Sequence, residues 1–317
     1  MIIALIILAS IIVLFVLIIL LTELITKKIF FKRGDGALSI KYQNLPEGIS
    51  YQNLSFKCKK ETLRGRLYFD ENIDKYKAVI ILSHGTGFGH LYLMPLIEYL
   101  AKNEYIVMAY DMTGSGFSSG RRIKCMTQAV VDIESAIKFV LNNKNLHKYP
   151  LYLLGHSWGG FASLAALNYD YPIKKVVSIS GFNHEANLAY PILRPLLRLH
   201  NFFHYGKRAY FSAKRGLKRT DAKVLYIQGA NDKVVPLNAG SNIFKKIKNP
   251  NLQVEVLKNK YHSPFIKEED ELKAMTLLAN LGMLGEKYPS LSFNVNYKDI
   301  SHPDDKVYKM ILDFLDN

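Results

Sequence analysis

Cysteine is nearly absent from this 317-residue chain, which carries only Cys58 and Cys125. Two thiols cannot staple a fold of this size, so a disulfide framework is excluded and stability must come from a packed core. The scarcity also agrees with a reducing compartment. A local zinc motif is missing: His200 and His204 share a helical spacing, but no glutamate flanks them. The glycine-rich stretch Gly114-Ser115-Gly116 follows an apolar run, yet no Gly-Lys-Ser/Thr accompanies it and the next helical pattern starts only near Met126. A phosphate cradle needs that helix at once, so a nucleotide site is not expected. No internal repeat and no low-complexity linker occur. No cofactor and no metal are expected.

Basic residues are missing from the first 26 positions. Instead, Ile2 to Leu21 is apolar apart from Ser10, and as a helix at about 1.5 Å per residue it is one bilayer core long. A cleaved signal peptide would show an early basic residue, a shorter apolar core and a small-residue cleavage site. Thr22-Glu23-Leu24-Ile25 offers none of these. A buried core helix would have to be apolar all round and uncapped. The stretch therefore reads as a retained single-pass anchor over residues 1–26, followed by a juxtamembrane linker over 27–49. Lys27, Lys28, Lys32 and Arg33 follow the span, so the positive-inside rule puts the remaining chain, residues 50–317, in the cytoplasm. Arg33-Gly34-Asp35-Gly36 is the expected break between anchor and domain.

Acidic residues are outnumbered, 27 against 42 lysines and arginines, for a net charge of +15. The shortage is concentrated. Between Arg194 and Arg219 there is no acid, whereas Arg194, Arg198, Lys207, Arg208, Lys214, Arg215, Lys218 and Arg219 interleave with Phe202, Phe203, Tyr205, Tyr210 and Phe211. Two readings stay open. One is a lid whose apolar face covers a pocket and whose charges are solvated. The other is a basic, aromatic lid resting on an anionic leaflet, each cation contributing about 1 kcal/mol near the surface. Nucleic acid is not an expected partner, because no recognition motif accompanies the charge.

What the chain does contain is Gly155-His156-Ser157-Trp158-Gly159-Gly160, placed between the apolar run Leu151-Tyr152-Leu153-Leu154 and the helix formers Phe161 to Leu167. A G-x-S-x-G between strand and helix forces a sharp turn that presents the serine hydroxyl above the sheet edge. Gly155 and Gly159 lack Cβ atoms, which lets strand and helix approach closely there. A serine alone is a weak nucleophile; it needs an imidazole to take its proton and a carboxylate to orient that imidazole. The strand pattern Lys223 to Gln228 ends in Gly229-Ala230-Asn231-Asp232, and Leu252 to Leu257 ends in a loop carrying His262. Both groups thus lie at carboxyl ends of strands, where open α/β sheets keep their functional residues. His302 competes as the base. However, Ser301-His302-Pro303-Asp304 reads as a helix start, with Ser301 as cap and Pro303 in the first turn, so His262 is preferred. An earlier strand, Ala78 to Ser83, leads into His84-Gly85-Thr86-Gly87. Backbone N–H groups of Thr86 and Trp158 are the expected donors of an oxyanion hole.

The ordered set of His84-Gly85-Thr86-Gly87, Asp111 to Gly120, Gly155 to Gly160, Gly229 to Pro236 and His262 resembles α/β-hydrolases of the serine aminopeptidase and monoacylglycerol-lipase/lysophospholipase type, over roughly residues 50–317. The resemblance implies Ser157 as nucleophile, Asp232 as acid, His262 as base, and Thr86 with Trp158 at the oxyanion. It implies an α/β fold: a mostly parallel sheet with helices on both faces and a small helical lid inserted at about 181–221. Lys267 to Asp299 departs from the family pattern as an additional stretch. The implied reaction is carboxylic ester hydrolysis through an acyl-enzyme, on acyl lipids such as monoacylglycerols or lysophospholipids, or on small esters. Peptidase or thioesterase chemistry on the same triad, or a non-catalytic membrane-bound binding protein keeping the fold, are the alternatives.

Overall fold

The computed structural model describes residues 2–29, 40–42, 47–87, 89–123, 125–288, 290–296 and 301–317. Lys32, Arg33 and the expected break at Arg33 to Gly36 lie outside the described residues. An eight-stranded sheet forms the centre, in the order β2-β3-β5-β4-β6-β7-β8-β9. The strands are β2 (Ile49–Cys58), β3 (Glu61–Asp70), β4 (Ala78–Ser83), β5 (Tyr105–Tyr110), β6 (Leu151–His156), β7 (Ile173–Ile179), β8 (Lys223–Gly229) and β9 (Leu252–Leu257). β3 runs antiparallel to both of its neighbours, β2 and β5, and the six strands β5, β4, β6, β7, β8 and β9 are mutually parallel.

The parallel block is buried on both faces, and its sequence shows why. Side chains alternate across a strand, and β4 and β5 are apolar at nearly every position. Val79, Ile81, Ile106 and Met108 therefore point into one core, while Ala78, Ile80, Leu82, Tyr105 and Val107 point into the other. The first core is covered by α3 (Gln128–Asn142) and α4 (Trp158–Ala165). The second is covered by α2 (Met94–Lys102) and the terminal α9 (Asp305–Asp316). This is the α/β-hydrolase architecture that the motif order implies.

The helix α1 (Ile2–Ile29) is long and apolar enough over Ile2–Leu24 to cross a membrane; its side chains are almost all exposed up to Leu21, while Thr22 near its end is buried. Between β7 and β8 lies a helical segment that includes α5 (Arg194–Tyr205) and the short α6 (Ala213–Leu217). The additional stretch after His262 forms α8 (Glu268–Lys287) and β10 (Phe293–Val295). β10 pairs in parallel with β1 (Ile40–Tyr42). The stretch expected to be a linker therefore holds a strand, whose partner is too distant in sequence for any local pattern to announce. The expected helix start at Ser301 and Pro303 is not what the structure shows. The cap of α9 is Asp304, whose carboxylate accepts the N–H of Val307 at 3.1 Å, while Pro303 bridges to Ile266. Asp304 outcompetes Ser301 because it stands directly before the first helical residue.

Candidate active site

The sheet order reverses about β4, whose neighbours are β5 and β6. At such a switch point the loops leaving adjacent strands diverge and open a crevice at their carboxyl ends. Ser83 of β4 lies in register with Gly155 of β6, so the loop after β4 stands beside the turn carrying Ser157. That turn is sharp: Ser157 has φ 55° and ψ −114°, a left-handed conformation that costs a non-glycine residue on the order of 1–3 kcal/mol. Close packing holds it there. A Cβ on Gly155 would stand 2.1 Å from the Gly159 carbonyl oxygen, and one on Gly159 would stand 2.0 Å from that of Ser83. The N–H of Ser157 donates to the carbonyl of Ile179 at 2.8 Å, fixing the turn to β7.

Asp232 follows β8 and His262 follows β9; the His262 ring reaches Ser157, and the Asp232 carboxylate reaches that ring. His262 Nε2 lies 2.8 Å from Ser157 Oγ, and His262 Nδ1 lies 3.0 Å from each carboxylate oxygen of Asp232. A proton on Nδ1 donates to the carboxylate, leaving the Nε2 lone pair to accept the serine hydroxyl. Asp232 Oδ1 also accepts the N–H groups of Val234 at 3.0 Å and Val235 at 2.9 Å. Burial alone would raise this carboxyl, but His262 and those two N–H groups outweigh it and hold the group below the usual carboxylate range. All three residues are buried.

Thr86 lines the same cavity, of about 110 Å³, together with Gly85, Tyr92 and Val234. Trp158 is the first residue of α4, so its N–H belongs to the first helical turn, where intrahelical acceptors are lacking. Its indole N–H donates to the carbonyl of Met126 at 2.7 Å, which fixes the ring away from the cavity's chemistry. His302 instead pairs with Asp270 at 2.7 Å. None of the residues from 181 to 221 is among those that line the Ser157 cavity. Nor are the cations of that segment all without counter-charge: Arg208 donates to Glu134 at 3.0 and 2.8 Å. A larger cleft of about 780 Å³, bordered by Cys58, Arg122, Gln128 and Tyr205, shares no lining residue with the Ser157 cavity.

Several groups around the site carry no signal that sequence reasoning could isolate. His156, the variable residue inside the G-x-S-x-G, donates from Nε2 to the carbonyl of His262 at 3.0 Å. Burial, reinforced by the neighbouring His262, holds the His156 imidazole down at about 3, so it stays neutral and serves as a donor. Asp111 ties the loops after β4 and β5 together, accepting the N–H and Nδ1–H of His90 at 2.8 Å and the N–H of Phe117 at 2.8 Å. Although burial opposes it, His90 and these donors bring its carboxyl down to about 2. The Gly114 to Gly116 loop is thus a structural brace. Its one sequence signal is the Asp-x-x-Gly-x-Gly spacing at Asp111.

The profile of the serine aminopeptidase, S33, family matches residues 74–209. A monoglyceride lipase of Rattus norvegicus is 33% identical over 95 residues, 28% of this chain and 30% of that protein. A monoglyceride lipase of Saccharomyces cerevisiae is 29% identical over 131 residues, 40% of this chain and 38% of that protein. The matched segments thus span only about a third of those curated relatives. In three dimensions an esterase of Pyrococcus furiosus superposes with a TM-score of 0.55 at 18% identity, over 75% of this chain and 93% of that one. With a doubly wound sheet and a strained serine turn after β6, the chain has the α/β-hydrolase fold, and its residues 74–209 are similar to the serine aminopeptidase, S33, family.

Proposed function

We propose that the protein is a serine hydrolase that cleaves carboxylic esters. Ser157 attacks the ester carbonyl as His262 Nε2 takes its proton, and Asp232 stabilises the imidazolium that forms. The N–H groups of Thr86 and Trp158 hold the oxyanion. His262 then returns the proton to the leaving alcohol, and a water deacylates Ser157 by the same route in reverse. The observation that carries this reading is the continuous contact from Asp232 through His262 to Ser157 Oγ, at 3.0 and 2.8 Å.

Acyl lipids, namely monoacylglycerols or lysophospholipids, are the proposed substrates. The matched relatives named monoglyceride lipases and the membrane-compatible helix Ile2–Leu24 support that choice. In this reading residues 1–26 anchor the chain, residues 27–49 connect it, and residues 50–317 form a cytoplasmic hydrolase domain with a lid at about 181–221. Peptidase activity is the second reading, favoured by the description of the matching family as aminopeptidases. Fluorophosphonate labelling of the purified protein tests the mechanism: labelling that persists in Ser157→Ala overturns it. Rates on a monoacylglycerol and on an aminoacyl amide, compared on the same preparation, decide between the two substrates.

A further inference from the structure

We propose that Glu23, His200 and His204 together bind a divalent transition cation of the zinc class, fastening α1 to α5. The three residues come from parts of the chain far apart in sequence. His200 and His204 stand one turn apart on α5, with ring centroids 4.6 Å from each other. Both Nε2 atoms face the same oxygen of Glu23, at 2.9 Å from His200 and 3.1 Å from His204. The three ligand atoms lie within 4.8 Å of one another. Around zinc, with bonds of about 2.0–2.1 Å, tetrahedral ligand atoms stand about 3.3 Å apart, so only small side-chain adjustments are needed.

The surrounding hydrogen bonds indicate which atoms carry lone pairs. Asn201 is fully buried and its amide nitrogen donates to Glu185 Oε1. That fixes the amide and turns Oδ1 toward His200 Nδ1, at 3.4 Å. Only a proton on Nδ1 makes this approach favourable, and a neutral ring so protonated presents a bare Nε2 to Glu23 Oε2. Two lone-pair atoms 2.9 Å apart require a cation between them. That cation is either a proton or a metal. The other carboxylate oxygen, Oε1, accepts from Arg122 at 2.9 Å, while Oε2 faces both imidazoles. Such outer contacts, to the second imidazole nitrogen and the second carboxylate oxygen, are those that orient ligands in metal sites. Two imidazole nitrogens and one carboxylate oxygen suit zinc, whereas magnesium and calcium prefer oxygen alone.

The test uses the full-length protein in detergent micelles, stripped with a chelator and titrated with Zn²⁺ against a chromophoric competitor. One equivalent is expected to bind. His200→Ala, His204→Ala and Glu23→Gln are each expected to weaken binding by about tenfold or more. X-ray absorption of the stoichiometric zinc complex of the unaltered protein is expected to show two imidazoles with oxygen at about 2.0 Å. Failure to bind one equivalent overturns the proposal, as does an affinity in all three variants equal to that of the unaltered protein. A coordination shell without two imidazoles overturns it even if the variants fail to fold, and leaves a proton in the cation's place.

Discussion

Glu271 of α8 accepts a hydrogen bond from the backbone N–H of Ser263, the residue next to His262. The additional stretch after β9 therefore reaches back to brace the loop that carries the imidazole. Burial pushes the Glu271 carboxyl above its ordinary value, and Ser263 is itself buried. Glu271→Ala leaves a buried N–H without its acceptor, a loss of about 1–3 kcal/mol. The expected result is a lower melting temperature and a reduced kcat with KM nearly unchanged. Glu271→Gln keeps an acceptor oxygen and should restore most of both. Wild-type kcat in Glu271→Ala would show that the loop is held by other contacts.

His262→Ala and Asp232→Asn should each lower kcat on an ester substrate by on the order of a thousandfold or more, since in the proposed mechanism one removes the base and the other its orienting charge. His302→Ala should stay close to wild type, because its side chain pairs with Asp270 instead. Steady-state kinetics of the three variants decide the assignment.

Gly159→Ala should be far more damaging than its single methyl suggests. The new Cβ would stand 2.0 Å from the Ser83 carbonyl oxygen, so β4 and α4 must separate. A cost of about 3 kcal/mol or more is expected in denaturant titration. Active-site labelling should fall with it, because Ser157 depends on that packing for its conformation.

Glu185 gives the protein a stability term with a defined sign. Burial raises its carboxyl from 4.5 to about 7, against the opposing hydrogen bonds from Asn201 and the Met126 N–H. Between these two values the folded state binds more protons than the unfolded state, so stability falls as pH rises through the window and levels off above it. The size is on the order of 3 kcal/mol. Glu185→Gln should flatten the difference between unfolding free energies measured at pH 5 and pH 8. An unchanged pH dependence in that variant would place the term elsewhere.

Lys214, Arg215, Lys218 and Arg219 are exposed, and so are the large apolar side chains of Tyr190, Ile192, Phe203 and Tyr210 of the same inserted segment. If this face rests on anionic headgroups, hydrolysis of substrate in anionic vesicles should fall as salt shortens the attraction to about 8 Å at physiological ionic strength. Hydrolysis of a short soluble ester should barely respond. Replacing the four cations with glutamine should reproduce the selective loss. Equal responses of the two substrates would mean that the charges are simply solvated.

The sequence by itself determined the fold class and nominated the residues of the proposed site. Strands β4 and β5 are apolar at nearly every position, and such runs can only be buried on both faces. The turn at Ser157 was equally legible, because glycines at 155 and 159 answer to local sterics. Asp232 and His262 could be nominated because strand ends are readable and the chemistry demands their residue types.

Tertiary structure decided what depends on partners distant in the chain. The pairing of β1 with β10 and the brace from Glu271 leave no periodic or spaced signature, and the helical spacing of His200 and His204 does not announce that Glu23 meets them. Each joins segments that are neighbours only after the sheet has formed. The same holds for Arg208, which reads as a free cation along the chain and proves to be paired with Glu134 of α3. Local pattern fixes the direction in which a side chain leaves the backbone. What it meets there is set by packing, which only the folded chain contains.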